Sequence, residues 1–424
     1  MKIKILNLSI FRYFKVICTI ILFAWISFFP QPIQDLYGIF VRIFLGIFLL
    51  ILLLERKYLN YLFSFQDWPL WLFVICLWPN IFIATDKSLA LSTYFYLTIT
   101  LIFLFYIGKG LFVSEKDRIT IGVIICICSG LVAFIAILEL YFGKNIIYEN
   151  FIANPFYVRY VGHYPRPMST QLNPAVLGSY LLGCLPFSFS LLKNKYLRLL
   201  GILTSILCVI VIFLTFSRGV FLGLLALLLF YLWKIHKKRL YFTFIACLAI
   251  LMAACSFSKN SNLYRLGFKR MVSGSYDSVV SEYRLTRLKM TFRILKDHPF
   301  IGIGFNHFRL RFKEYCDKKD INELYEFMIP DNMYLTFLAE TGIIGTAGFL
   351  TFIFTLLKRG LKQLRRLDED KKHILLIVIS ALIGLLVNMG AYELFYWNNP
   401  YMLFCLICGF ISGVMEGRPR LNED

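Results

Sequence analysis

Residues 199–233 read LLGILTSILCVIVIFLTFSRGVFLGLLALLLFYLW, and in the whole stretch only Arg218 is charged. About 20 mostly apolar residues cross a bilayer as one helix. The stretch therefore reads as two spans, 199–216 and 219–233, joined by a turn holding Thr215, Ser217, Arg218 and Gly219. Working outward, the pattern recurs at 14–30, 39–54, 69–85, 89–107, 119–141, 174–192, 240–257, 332–357, 374–391 and 401–415. The 424-residue chain is 59% hydrophobic and 17% charged, against about 45–50% and about 25% in soluble domains. The expected fold class is all-α, a polytopic membrane protein of twelve helices. The second, eighth and twelfth spans are short, so eleven is the alternative count. Composition excludes a soluble enzyme, a disordered chain and a secreted disulfide scaffold. The expected organisation is helices one to nine in 1–257, one long outside loop at 258–331, and helices ten to twelve in 332–424.

The formal charge of +20 would suggest nucleic acid in a soluble protein, but in a membrane protein it points first to the positive-inside bias. With the N-terminus inside, 25 of the 45 Lys and Arg residues fall on inside segments and five on short outside connections. Fourteen more lie in 258–331, and long segments cross regardless of charge. Both termini are expected in the cytoplasm, with the lipid bilayer and no nucleic acid as partner. The basic start, Met1 to Lys15, leads into an apolar run without a small-residue cleavage site, so the first helix reads as retained. Ten of eleven cysteines sit in or beside apolar runs, Cys316 being the exception, and read as small apolar filler.

Four constellations carry chemistry. An arginine at a membrane mouth beside the hydroxyls of Thr215 and Ser217 suits a phosphate; Arg218 could equally snorkel from a hairpin turn. From Tyr283 to Lys296, Leu285, Leu288, Phe292 and Leu295 recur at helical spacing, and Arg284 borders that apolar stripe. An interfacial helix attracted to anionic headgroups explains the neighbouring Lys289, Arg293 and Lys296, but explains Arg284 less well. Asp331-Asn332 opens span ten, where Asp331 reads either as a helix N-cap or as a site residue. Glu340 lies about 13 Å further along, at 1.5 Å per residue, as a functional group or a buried partner for an arginine. Gly342 and Gly345 would let a neighbouring helix come close. Arg166, before Asn173-Pro174, could hold an anion or face headgroups. His163, His298 and His307 fall outside the membrane and could move protons, or could simply be solvated. No Walker, dinucleotide or zinc-helix motif is present, so an already activated donor is expected.

At these residues the chain resembles the bacterial O-antigen ligases and the related O-antigen polymerases (WaaL and Wzy). The resemblance lies in TxSRG at Thr215–Gly219, in the arginine fifteen residues before an HPxxGxG turn (Arg284 to Pro299), and in [H/D]Nx9GxxG at Asp331–Gly345. It covers about 166–350, and the first 140 residues match only as hydrophobic helices. It implies a GT-C-like membrane glycosyltransferase of the bacterial inner membrane, acting in the periplasm without metal or other cofactor. The donor would be a glycan on undecaprenyl pyrophosphate. A ligase passes it to lipid A–core, and a polymerase to another lipid-linked glycan. The residues implied are Arg218, Arg284 and Asp331 for catalysis, and Thr215, Ser217, Arg166, Asn332 and Glu340 for binding.

Asp331 departs from the ligase pattern, which has histidine before the asparagine. A carboxylate can accept a hydroxyl proton, but a helix N-terminus and nearby arginines weaken it as a base. Orienting the acceptor is its alternative role, and the departure opens the polymerase reading. A lipid-glycan transporter or flippase is the alternative of another class.

Overall fold

In lipid, each segment must satisfy its own backbone hydrogen bonds, which makes helices the spanning element here. The computed structural model describes residues 2–54, 64–112, 114–148, 160–161, 164–235, 278–316 and 330–416. Apart from turns and a two-residue antiparallel ladder, β1 (Tyr160–Val161) with β2 (Tyr164–Pro165), these residues are helical. The first half comprises α1 (Lys2–Phe28), α2 (Gln31–Leu36), α3 (Gly38–Leu54), α4 (Trp68–Leu77), α5 (Asn80–Ile83), α6 (Lys87–Leu111) and α7 (Glu115–Phe142). Then come α8 (Pro174–Leu191), α9 (Arg198–Leu214), α10 (Arg218–Lys234), α11 (Ser278–Asp297), α12 (Phe308–Tyr315), α13 (Met333–Gln363), α14 (Glu369–Met389) and α15 (Asn398–Glu416).

Six of these helices, α6, α7, α8, α13, α14 and α15, are long and apolar enough to cross a membrane. Tyr13–Phe28, Gly38–Leu54 and Arg198–Leu214 are apolar but shorter. Twelve continuous spans are not found among the described residues. The third, expected at 69–85, breaks after Leu77: Pro79 has no N–H to continue the ladder, and Asn80 starts the short α5. The ninth, 240–257, and most of the 258–331 loop lie outside the described residues.

One of the two shortest expected spans, 401–415, becomes the most enclosed of the six long helices. Almost all of α15 is buried, and it crosses α6 where glycines remove the side-chain spacers. A Cβ on Gly409 would stand 2.1 Å from the carbonyl oxygen of Phe105, and one on Gly413 would stand 2.4 Å from that of Lys109. No side chain larger than hydrogen fits either place.

Helix ends sort into two sets. At one end, Lys109 pairs with Asp67 at 2.8 Å and Glu416 at 2.9 Å, Lys15 pairs with Asp117, and Lys193 pairs with Asp370 at 3.2 Å. At the other end, α2, the starts of α3, α6, α13 and α15, and the 3-10 turn Leu394–Tyr396 surround a cavity of about 520 Å³.

Candidate active site

The cavity end is built by a lock between two glycine turns. Gly342 takes φ +63 and ψ −164, which breaks α13 and frees backbone groups on both sides. The turn Pro299–Gly304 fills the break: Ile303 and Gly304 donate to the carbonyls of Ala339 and Glu340 at 3.1 Å each. In return, Ile343 and Ile344 donate to the carbonyls of Pro299 and Phe300 at 2.9 and 3.0 Å. Gly302, at φ +75, lies so near Glu340 that a Cβ would meet its carbonyl carbon at 2.4 Å. Asn80 completes the lock. Its amide donates to the Ile301 carbonyl at 2.9 Å and to that of Glu340, and its oxygen accepts from the Phe305 N–H at 2.7 Å. Gly342 therefore serves a helix break closed by a loop, where helix–helix contact was expected. The half-helix end is occupied by the chain's own carbonyls and does not face a ligand.

Glu340 is buried inside this assembly. One carboxylate oxygen accepts from the Phe308 N–H at 3.1 Å, and the other accepts from the Tyr396 hydroxyl. Both oxygens hold the α12 and 394–396 segments against α13, and no arginine pairs with Glu340 among the described residues. Burial, then the Glu340 charge, pushes the Tyr396 phenol well above its ordinary range, so it remains a donor. His307 is also structural. It is fully buried, accepts from the Asp86 N–H at 3.0 Å through Nε2, and lies 2.6 Å from the Phe305 carbonyl through Nδ1. His298 is half-buried, and His163 lies among the residues not described.

Asp331 is not the helix cap. The cap is Asn332, whose side-chain oxygen accepts from Tyr334 and Leu335 at 3.0 and 3.2 Å, while its amide donates to the Gly390 carbonyl at 2.9 Å. Asp331 stands one residue earlier at φ +52, and its carboxylate meets Arg287 at 2.7 Å. The Arg287 side chain is 3% exposed and that of Asp331 37%, so the pair has a buried cation and an open carboxylate.

The α11 face differs from the expected one. Leu285 and Phe292 are exposed, whereas Arg287, Met290, Thr291 and Ile294 are buried, with Met290 and Ile294 packed on Ile303, Phe308 and Ala339. Counting apolar residues located the helix, but lipid is apolar too, so the apolar stripe can face outward and the polar residue inward. Arg284 is exposed, with no hydrogen-bond or ion-pair partner among the described residues. Three residues later, Arg287 is the arginine that enters the site.

The Thr215–Gly219 turn reaches the same end by another route. Thr215 is buried, and its hydroxyl donates to the Ile212 carbonyl at 2.7 Å. Arg166 is half-buried and donates through Nε to the Thr215 carbonyl at 2.6 Å, bracing the turn. Phe216 takes φ +48, Ser217 precedes α10, and Arg218 is half-buried, with no side-chain partner among the described residues. A Cβ on Gly219 would meet the Ala391 Cβ at 2.7 Å and Asn388 Oδ1 at 2.9 Å. The segment Asn388–Glu393 thus touches both the Arg218 turn and the Asn332 cap.

That segment and its continuation were missed in the sequence. Glu393 is 2% exposed and accepts from the Thr336 hydroxyl at 2.6 Å. Burial pushes its carboxyl up to about 8; the Thr336 hydrogen bond opposes this, the Glu340 and Asp331 charges add to it, and Arg287 opposes it. Across the cavity stand Asp35, Arg42, Tyr96, Arg309, Trp397 and Asn398. Asn398 donates to Asp35 at 3.0 Å and accepts from the Tyr96 hydroxyl. The only available signal was YELFYWNNP at 392–400, a polar and aromatic cluster just outside the expected spans. Among the described residues five non-glycine residues have positive φ: Ser169 opens a 3-10 turn, and Leu172, Phe216, Asn306 and Asp331 lie in connections between helices. Such backbone costs about 1–3 kcal/mol per residue and persists where the surroundings over-determine it.

Chemically, the arrangement offers guanidinium groups for an anion, a polar and aromatic cavity for a small polar ring, and carboxylates for a proton. Residues 203–350, which run from α9 past the kink in α13, match the family model described as O-antigen ligase (Wzy_C). That match supports assignment to the O-antigen ligase/polymerase family. No curated protein matches the chain.

Proposed function

We propose that the protein is a membrane glycosyltransferase that moves a glycan from undecaprenyl pyrophosphate onto a sugar hydroxyl of lipid A–core, at the periplasmic face of the inner membrane. One observation carries this reading. The Thr215–Gly219 turn and the Asn332 cap both touch Asn388–Glu393, and the Pro299–Gly304 turn locks onto Ala339–Ile344, beside a cavity lined with tyrosine, tryptophan and amide side chains. The lysine-rich helix ends lie opposite the cavity, which supports cytoplasmic termini and an outward site.

In this mechanism the donor's pyrophosphate lies against Arg218 and Arg287, with the exposed Arg284 nearer the entrance. The acceptor sugar occupies the cavity, and its hydroxyl attacks the anomeric carbon in one inverting step. As the bond from that carbon to the pyrophosphate oxygen breaks, charge grows on the phosphate. Fixed guanidinium groups then bind the transition state more tightly than the ground state. Transfer requires no metal in this reading.

Asp331, standing where ligases have histidine, favours a second reading, in which the acceptor is another lipid-linked repeat unit and the enzyme is a polymerase. The glycan profile of a deletion strain separates the two. Loss of surface polymer with lipid-linked polymer accumulating means ligase, and a single repeat unit on the acceptor means polymerase. The experiment for the reaction itself is reconstitution in liposomes with outward-facing donor and acceptor. Product formed without transmembrane movement of donor supports transfer. Movement of the donor without product would make the protein a transporter.

A further inference from the structure

The acceptor hydroxyl must lose a proton during transfer, and four carboxylates stand in or beside the cavity. Glu340 has both oxygens occupied, by the Phe308 N–H and the Tyr396 hydroxyl. Asp35 is exposed and accepts from Asn398. Asp331 lies at the mouth with its carboxylate against Arg287. Glu393 differs from all three. It lines the cavity, it is almost fully buried, and one oxygen is held by Thr336 at 2.6 Å while the other has no hydrogen-bond partner among the described residues. Thr336 sits one turn inside α13, and its hydroxyl oxygen also lies 2.9 Å from the Asn332 carbonyl; its single proton serves one of the two acceptors at a time, and the contact places the carboxylate against the cap beside Asp331.

We propose that Glu393, and not Asp331, is the catalytic base that takes the acceptor's hydroxyl proton. The inference rests on the glycosyl-transfer reading. The hydroxyl oxygen forms the new bond to the anomeric carbon, and its proton passes to the free oxygen of the Glu393 carboxylate. The bond from the anomeric carbon to the pyrophosphate oxygen breaks, and its electron pair leaves on that oxygen, facing the arginines. The proton then returns to water through the open cavity. Asp331 is a positioning residue at the mouth, where its carboxylate holds Arg287 in place against the pyrophosphate.

The charged and titratable groups around Glu393 are Glu340 on α13, Asp331 before it, Arg287 on α11, Tyr396 on the following 3-10 turn, and Arg309, Asp35 and Arg42 across the cavity. With burial holding its carboxyl near 8, only a minor fraction is ionised at neutral pH, but the ionised form is a stronger base than an ordinary carboxylate. A general base works best with a pKa near the operating pH and contributes about 10²–10⁴-fold.

The test is the pH–rate profile of transfer by reconstituted full-length protein, for wild type, Glu393→Gln, Glu393→Asp and Asp331→Asn. Folding of each is checked by monodispersity in detergent. Wild type is expected to rise with pH up to about 8, where burial holds this carboxyl, and then level off. Glu393→Gln loses about 10²–10⁴-fold together with the rising limb, and Glu393→Asp restores part of both. Asp331→Asn slows transfer but keeps the limb. A folded Glu393→Gln that keeps near-normal rate and the rising limb overturns the assignment of the base. So does loss of the limb in Asp331→Asn alone. A wild-type protein that transfers no glycan overturns the reading of the reaction instead.

Discussion

Replacing Arg287 by alanine separates the arginine the structure brings to the site from the one its sequence motif singles out. The Arg287 side chain is 3% exposed and lies 2.7 Å from an Asp331 carboxylate that is 37% exposed. Removing one member of a fully buried pair costs about 3–5 kcal/mol. Here water reaches the carboxylate left behind, so the stability loss should be smaller, about 1–3 kcal/mol. The kinetic effect is separate. A fixed donor facing charge that develops in the transition state contributes about 2.7–4 kcal/mol, or about 10²–10³ in rate. Arg287→Ala should therefore lower kcat by that factor, with little change in donor KM. Arg287→Lys keeps the charge but loses the forked geometry, and should fall between. Arg284 is exposed and has no partner among the described residues, so Arg284→Ala should raise the donor KM more than it lowers kcat. The assay is single-turnover and steady-state transfer in liposomes, with thermal stability measured in the same preparations. A folded Arg287→Ala within about threefold of wild type, under 0.7 kcal/mol, would refute the assignment. A kcat loss confined to Arg284→Ala would do the same.

Three further outcomes follow from the packing and the buried charges. Gly302→Ala places a Cβ 2.4 Å from the Glu340 carbonyl carbon; overpacking of this kind costs about 1–3 kcal/mol. Left-handed backbone adds about 1–2 kcal/mol for a non-glycine residue, so a lower melting temperature and loss of transfer should appear together. Lys109→Met strands Asp67 and Glu416 at the opposite end, where both pair with Lys109 within 3 Å. It should destabilise by about 3–5 kcal/mol, and adding Asp67→Asn should recover part of that loss in thermal unfolding. The Glu393 carboxyl is raised in the folded state from 4.5 to about 8. The folded protein therefore holds a proton that the unfolded chain releases. Through this group wild-type stability should fall as pH rises between these values and flatten above, so the slope should be shallower in the melting curves of Glu393→Gln.

The spans were legible because a lipid solvent demands long apolar runs, and the runs around 89–107, 119–141, 174–192, 332–357, 374–391 and 401–415 each contain or overlap a helix long enough to cross. What composition could not show was which helices lie inside the bundle. The span at 401–415 is shorter than most, yet it is almost wholly buried, because the fit of Gly409 and Gly413 against α6 depends on a partner remote in sequence. The same limit explains the break at Pro79. Hydropathy sums over 69–85, but the backbone there ends one helix so that Asn80 can bind the 301–305 turn.

The site was half legible, and the halves divide by the kind of residue. Glycine and proline motifs announce special backbone, so HPFIGIG and Gly342 could be singled out, although the helix break at Gly342 and its hydrogen bonding with the 299–304 turn could not. Arginines were sought beside an apolar stripe, whose spacing leaves open whether membrane or protein covers it. Leu285 and Phe292 remain exposed while Arg287 turns inward to Asp331. Glu393 gave no signal at all, since a lone glutamate beside aromatics belongs to no motif. Its place follows from three contacts between distant segments: Gly219 on Ala391, Asn332 on the Gly390 carbonyl, and Thr336 on Glu393 itself. These contacts join the Arg218 turn, the helix cap and the cavity through six residues of one connection. A substitution there that shifts the backbone should therefore disturb donor and acceptor binding together, whereas changes in Arg218 or Tyr96 should disturb only one.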